Sequence, residues 1–409
     1  MTHWDNPPAI RPQGDPLPVQ IYDGLTRVRR VVRSPGDGQG PVRIYVCGIT
    51  PYDSSHLGHA FTAVQFDVLR RTLVDCGHEV EMCHNITDVD DPLFAKAESL
   101  GVDWRVLASE QVDKYRSSMA ALNVIAPEHY VPVSDVIGEI LSDAAAIRDR
   151  GHAYRVEGTT YFRYTDPGRP RLAEELTEAQ LIDVARNNGG DPDRAGKRHP
   201  LDPPLWVPSA PGEPRWTGPL GEGRPGWHLE CVTIARRSLG ALPIDIQGGG
   251  ADLVFPHHEM SRLESIALCD VPMARSYMHT AMLRMDGAKM SKSLGNLIIA
   301  SDLVAEGWEP VVIRLALAGY HYREPLDWGP THLATARTRI ERWRRAASRP
   351  AGPDFAQARR KSRALLADDL NLPACLSVLD AWCADPVRDS ESGPSEFSAW
   401  VANTLGIVI

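Results

Sequence analysis

The sequence predicts an α/β fold: a doubly wound parallel sheet that carries an inserted domain and is followed by a C-terminal helical region. Three observations predict it. Apolar, β-branched runs alternate with segments of helical periodicity over roughly the first third of the chain; a Pro- and Gly-rich stretch of short mixed segments interrupts them; and from Ala300 onward the pattern is helical. The 409 residues suffice for two or three domains, and a 43% apolar content is ample for a core.

The opening "MTHWDNPPAIRPQGDP" is polar and Pro-rich, and residues 1–40 read as an N-terminal arm. "VRIYVCGI", Val42 to Ile49, is a buried strand running into the loop Gly-Ile-Thr-Pro. Ser54 or Ser55 then caps a helix through "HLGHAFTAVQFDVLRRTLVDCG", which stops at Gly77. "HEVEMCHNITDVDD" supplies the next strand, and "PLFAKAESLG" a helix opened by proline, completing a first half of the sheet domain over 41–130. Residues 131–214 read as a connective insertion in which "NNGGDPDRAGKRHP" is a mobile loop. "LPIDIQGGGADLVFPHHEM" returns to strand, glycine turn and helix start within a second half over 215–300, and 301–409 form the helical domain.

Several function classes are excluded early. No uninterrupted apolar run approaches the roughly 20 residues of a membrane span, and the N-terminus is not signal-like, so a cytoplasmic protein with no membrane partner is expected. Seven cysteines form an odd set without framework spacing, which points to thiols or metal ligands rather than disulfides. A net charge of −9 gives no global pull toward nucleic acid. Arg337 to Arg349 is the best candidate RNA-binding surface, but a solvated helix face explains it equally well and no aromatic stacking platform accompanies it.

Chemistry concentrates in a few short strings. His56 and His59, in "HLGH", stand at i and i+3 near a helix start, where free N–H groups favour phosphate and two imidazoles can donate to phosphoryl oxygens. Gly58 between them lets a flat base or ribose approach the backbone. "KMSKS" places Lys289, Met290, Ser291, Lys292 and Ser293 on a glycine-flanked loop, and two lysines with two hydroxyls suit a triphosphate. Cys47 at a strand end, Cys231 in "WHLEC" and His257 or His258 in "FPHHEM" bring two thiols and an imidazole from three segments, a donor set suited to tetrahedral zinc with one open position. Asp88, Asp90 and Asp91 read as a charged helix entrance more readily than as a second metal site.

The pairing of "HLGH" with "KMSKS" resembles the signature of class I aminoacyl-tRNA synthetase catalytic domains. Together with "YVCGITPYDSSHLGHA", "NITDVDD", "KRHPLDPPLW", "GRPGWHLEC", "GGGADLVFPHHE", "YMHTAML" and "ADDLNLPACLSVL", it is similar to the cysteinyl-tRNA synthetase family from about Ile21 to Ala384. The resemblance implies a Rossmann-like ATP site, ATP with magnesium as co-substrate, and one zinc per chain that binds the thiolate of substrate cysteine. Cys47, Cys231 and His257 would hold that zinc, with His258 the alternative third ligand. His56, His59, Lys289 and Lys292 would act on the phosphates. Nucleotide and adenylate contacts would fall to Cys47, Gly48, Ile49 and Thr50, to Thr62, Asn85, Ile86 and Thr87, to Trp227, Gly250, Ala251 and Asp252, and to Leu283, Met290, Ser291 and Ser293. The small polar members of that set serve equally well as caps or turns.

Three departures separate this chain from the synthetases. Ser261 stands where the family carries a glutamate zinc ligand, "CGITPYD" replaces "CGPTVYD", and the chain ends without room for an anticodon-binding domain. All three are similar to the cysteine ligases of mycothiol biosynthesis, which join cysteine to the amino group of glucosaminyl-inositol. The implied partners are therefore L-cysteine, ATP and that amino sugar rather than tRNA, acting on a monomer. A cysteinyl-tRNA synthetase with a reduced C-terminus is the alternative.

Overall fold

The β-branched run from Val42 forms β1 (Val42–Ile49), the middle strand of a five-stranded sheet. The structure, a computed structural model, describes residues 4, 10–33, 40–52, 56–165, 170–285, 287–290 and 296–409, with 288 and 289 by backbone alone. β2 (Val80–Ile86), β3 (His129–Pro132), β4 (Ile244–Gly250) and β5 (Ala274–Thr280) complete the sheet in the order β5-β4-β1-β2-β3, and every neighbouring pair is parallel. The order reverses between β1 and β4, so their carboxyl ends open the crevice in which doubly wound sheets bind ligands.

Both faces of the sheet are covered, which is why its middle strand, β1, reads as a nearly unbroken apolar run. Successive side chains of β1 point to opposite faces: Ile44 and Val46 join a core with Leu57, Val64 and Phe66 of α1 (Leu57–Asp75), while Tyr45 joins another. α2 (Asp91–Leu100) starts with Pro92 as its sequence predicts and ends at Gly101, whose φ of 67° is the left-handed conformation glycine tolerates. α3 (Trp227–Leu239) contributes Leu229, Val232 and Ala235 to the second core, and α4 (Glu259–Cys269) follows β4.

α1 is buried on more than its apolar stripe because polar anchors complete it. Asp67 pairs with Arg71 (2.7 Å) and with Arg314 from helix Pro310–Ala318. Arg314 donates onward to the carbonyls of Leu122 (2.8 Å) and Leu405 (2.8 Å), and Arg363 pairs with Asp75 at 2.7 Å. The C-terminal helices are thereby riveted to the sheet domain through buried guanidinium groups.

The insertion is an antiparallel five-stranded sheet made, in spatial order, of Ala153–Val156, Thr159–Phe162, Pro204–Val207, Gly221–Pro225 and Trp216–Gly218. The expected boundary after residue 214 falls inside this sheet, since Arg224 and Pro225 pair with Val207 and Trp206. The "NNGGDPDRAGKRHP" segment, expected to be mobile, is tied down: Tyr161 donates to Asp191, and Lys197 Nζ donates to Asp191 Oδ1 and the Pro200 carbonyl at 3.0 Å each.

Within the arm, Gln20–Asp23 and Val28–Val31 form a hairpin. The buried Asp23 accepts from Tyr277 N (2.9 Å) on β5, and Tyr22 N donates to Asp369 (2.8 Å) in the C-terminal region. Three of the arginines in the candidate RNA surface are matched by acids, Arg339 and Arg342 by Asp380 and Arg344 by Glu309. Among the described residues no helix is long and apolar enough to cross a membrane.

Candidate active site

A cleft of about 830 Å³ opens at the carboxyl ends of β1 and β4 and is walled on its far side by the insertion. Its floor begins where β1 ends. Gly48 N donates to Asn85 Oδ1 (2.8 Å), and a Cβ on Gly48 would lie 1.7 Å from the Asn85 carbonyl oxygen, so only glycine permits this approach of the two strand ends. Asn85 uses its other amide group on Thr87 (2.9 Å), and Thr50 donates to Asp90 (3.1 Å). Thr62 meets Thr280 at 2.8 Å. Thr50, Thr62, Thr87 and Asn85 line the cleft, yet each is also engaged in a hydrogen bond within the chain.

"HLGH" starts α1 as predicted, with a different cap. His56 itself is the N-cap, its Nδ1 accepting from Gly58 N at 3.1 Å; Ser54 and Ser55 lie outside the described residues. A Cβ on Gly58 would lie 2.9 Å from the His56 ring, which explains the glycine. The rings of His56 and His59 stack at 3.9 Å, side by side on the cleft wall. The helix N-terminus and both imidazoles thus share one edge of the cleft.

Two thiols and two imidazoles converge at its inner end. Cys47 Sγ lies 3.9 Å from Cys231 Sγ and 3.2 Å from His258 Nε2, while Cys231 Sγ lies 3.2 Å from His257 Nε2. Donor atoms of Cys47, His257 and His258 all lie within 4.8 Å of one another. A tetrahedral zinc with ordinary bond lengths separates two sulfurs by about 3.8 Å and sulfur from nitrogen by about 3.5 Å, so this donor set and its spacing fit the ion. Both alternatives for the imidazole ligand are within reach, His258 beside Cys47 and His257 beside Cys231. His257 faces the cleft; His258 is fully buried behind it.

Each imidazole is steered by a second histidine. His257 Nδ1 lies 3.1 Å from His228 Nδ1, and His258 Nδ1 lies 2.8 Å from His279 Nε2. Trp227 stacks on His257 at 4.3 Å. Burial holds His257 and His258 well below the ordinary imidazole range, with neighbouring histidines adding to the effect, and pushes the Cys231 thiol well up, aided by Cys47. These directions belong to metal-free donors, and a divalent cation would reverse them for the thiols. Ser261, in the position of the synthetase glutamate, turns away and donates to the carbonyl of His257 (2.8 Å).

The remaining expected residues divide. Ile49, Gly250, Asp252, Leu283 and Met290 line the cleft; Ile86 and Ala251 do not, and Ile86 is buried in β2. Lys289 belongs to a short strand by its backbone, whereas Ser291, Lys292 and Ser293 lie outside the described residues. Sequence reasoning missed His228 and His279 as supports, and Glu230 as a cleft residue. His228 carried a signal, standing three residues before Cys231 on one helix face.

A family model described as the class I (C) tRNA synthetase catalytic domain matches residues 35–338. Among curated proteins, the chain is 43% identical over the full length of both chains to the L-cysteine:1D-myo-inositol 2-amino-2-deoxy-alpha-D-glucopyranoside ligase of Thermobispora bispora, and 45% identical, again over the full length of this chain and the relative, to that of Gordonia bronchialis. Among solved structures, methionyl-tRNA synthetase of Mycobacterium tuberculosis in complex with methionyl-adenylate superposes with a TM-score of 0.59 at 16% identity, covering 90% of this chain and 89% of that one. The leucyl-tRNA synthetase of Agrobacterium radiobacter K84 agnB2, in a ternary complex, gives a TM-score of 0.60 at 12% identity, covering 91% and 83%. At those identities the structural likeness establishes the fold.

Proposed function

This chain belongs to the family of L-cysteine:1D-myo-inositol 2-amino-2-deoxy-alpha-D-glucopyranoside ligases, within the class I (C) tRNA synthetase catalytic domains, and from that membership we propose how its residues divide the work. It is an ATP-dependent ligase. L-Cysteine is activated as cysteinyl-adenylate with release of pyrophosphate, and the acyl group passes to the amino group of glucosaminyl-inositol with release of AMP, a step of mycothiol biosynthesis.

The observation that carries the residue assignment is the convergence of Cys47, Cys231 and His257 at the inner end of the same cleft that His56 and His59 edge. Those three would hold zinc and leave its fourth position to the substrate thiolate, with His258 the alternative to His257 as third ligand. When bound, zinc supplies a soft Lewis acid for the substrate thiolate, which selects cysteine over serine more strongly than packing around one atom can. His228 and His279 fix the two ligand rings. His56, His59 and the N-terminus of α1 donate hydrogen bonds to the phosphoryl oxygens as charge builds on them, each such contact being worth about 3 kcal/mol in the transition state. Lys289 and Lys292 clamp the departing pyrophosphate, with magnesium on the nucleotide. Thr50, Thr87, Trp227 and the turn Gly250 to Asp252 shape the adenylate pocket. Every one of these groups comes from one chain, which supports a monomer as the working unit.

The test is cysteine-dependent pyrophosphate exchange followed by a choice of acceptor. Exchange with subsequent transfer to the amino sugar is the expected result. Transfer to tRNA instead would revive the synthetase alternative, and activation of serine as readily as cysteine would overturn the thiolate-binding assignment.

A further inference from the structure

We propose that Asp90 and Glu230 form the subsite that receives the primary ammonium of the amino-sugar acceptor, an inference that rests on the ligase reading. Glu230 sits in the first turn of α3, is 1% exposed and lines the cleft, and its Oε2 has no hydrogen-bond partner among the described residues. A carboxyl oxygen withdrawn from water and left unmatched calls for a polar partner from a ligand. Asp90 occupies the cap position of α2, yet its carboxylate makes no cap bond and turns to Thr50 on the cleft wall.

The local cation is already engaged. Arg224, which also lines the cleft, binds Glu213 (3.1 Å) and Asp91, and no ion pair joins a described cation to Asp90 or Glu230. Two acidic groups facing one cleft with no direct ion pair of their own, and only the already engaged Arg224 nearby, suit an ammonium, whose N–H groups satisfy both.

Position assigns that ammonium to the acceptor. Glu230 adjoins the thiol ligand Cys231, and Thr50, the partner of Asp90, follows Cys47 by three residues, so the pair stands beside the place where the acyl group is held. Through Arg224 it abuts the insertion sheet, and on that side the cleft is lined by Asn188 and Arg194, hydrogen-bonding groups suited to a polyhydroxylated body. Once the ammonium has passed a proton to one of the two carboxylates, the free amine can form the amide bond with the activated carbonyl as the acyl–phosphate bond breaks and AMP leaves, while the sugar's hydroxyls meet the insertion.

The experiment compares wild type with Asp90→Asn and Glu230→Gln in two assays, cysteine-dependent pyrophosphate exchange and amide formation with glucosaminyl-inositol. The expected result is an acceptor KM raised by about tenfold or more in each variant, with a much smaller change in the cysteine KM of exchange. An unchanged acceptor KM in both variants overturns the proposal. So does a cysteine KM raised as much as the acceptor KM, because the pair then holds the amino acid's own ammonium. A wild-type enzyme that exchanges pyrophosphate but does not use the amino sugar sinks the ligase reading instead. Should Glu230→Gln fail to fold, Asp90→Asn decides alone. A second measurement needs no variant of the buried helix: an acceptor analogue with hydroxyl in place of the amine competes poorly against wild type and loses that disadvantage in Asp90→Asn.

Discussion

Cys231 offers the sharpest single-residue test of the donor set. Its sulfur faces Cys47 and His257, so Cys231→Ser should lower zinc content and cysteine activation together, measured by metal analysis and pyrophosphate exchange on one preparation. Full activity in that variant would remove Cys231 from the site. His279 acts one step further out, holding His258 through its Nδ1, and His279→Ala should weaken zinc binding by about 10- to 100-fold in a chelator competition. Asp90 gives a pH signature. Burial holds its carboxyl up at about 6 against an ordinary 3.8, partly offset by the Thr50 hydroxyl and Arg224, with Asp91 adding like charge nearby. The unfolded chain sheds this proton from about pH 4, whereas the folded chain keeps it until about pH 6, so stability falls with rising pH across that window and stays lowered above it. Asp90→Asn should therefore melt higher than wild type above pH 6 and match it near pH 4. A difference in Tm that ignores pH would place the effect elsewhere.

Among the elements, Arg314 bears the clearest stability prediction. It is fully buried, pairs with Asp67 on α1 and spans to carbonyls of Leu122 and Leu405. Arg314→Met leaves those acceptors unmatched and should cost about 3 to 5 kcal/mol, read from urea unfolding. Elements with a strong local pattern were legible: β1 by its β-branched run, α2 by its opening proline and closing glycine, α1 by its apolar spacing. The extent of the insertion was not, because strands of three to five residues such as Trp216–Gly218 carry no period, and their membership is decided by pairing with distant partners. The same limit separates the site residues. Cys47, Cys231 and His257 stand in recognisable strings. His279 reaches His258 only through the register of β5 on β4, Gly249 beside His279, which no local pattern announces.

For the molecule as a whole, zinc would bind the folded state at a junction of β1, α3 and the segment entering α4, elements from both halves of the chain. Removing it with a chelator should lower the melting temperature and readdition should restore it, since a ligand present at a thousandfold its Kd stabilises by about 4 kcal/mol. A melting curve indifferent to chelation would argue against a resident metal. Junctions of this kind recur in the hairpin at Gln20–Val31. Its hydrogen-bond partners stand 254 residues later at Tyr277 and 347 residues later at Asp369. A hairpin synthesised ahead of both partners therefore finds its full seat only once Asp369 has emerged, and until then it travels with the nascent chain unclaimed.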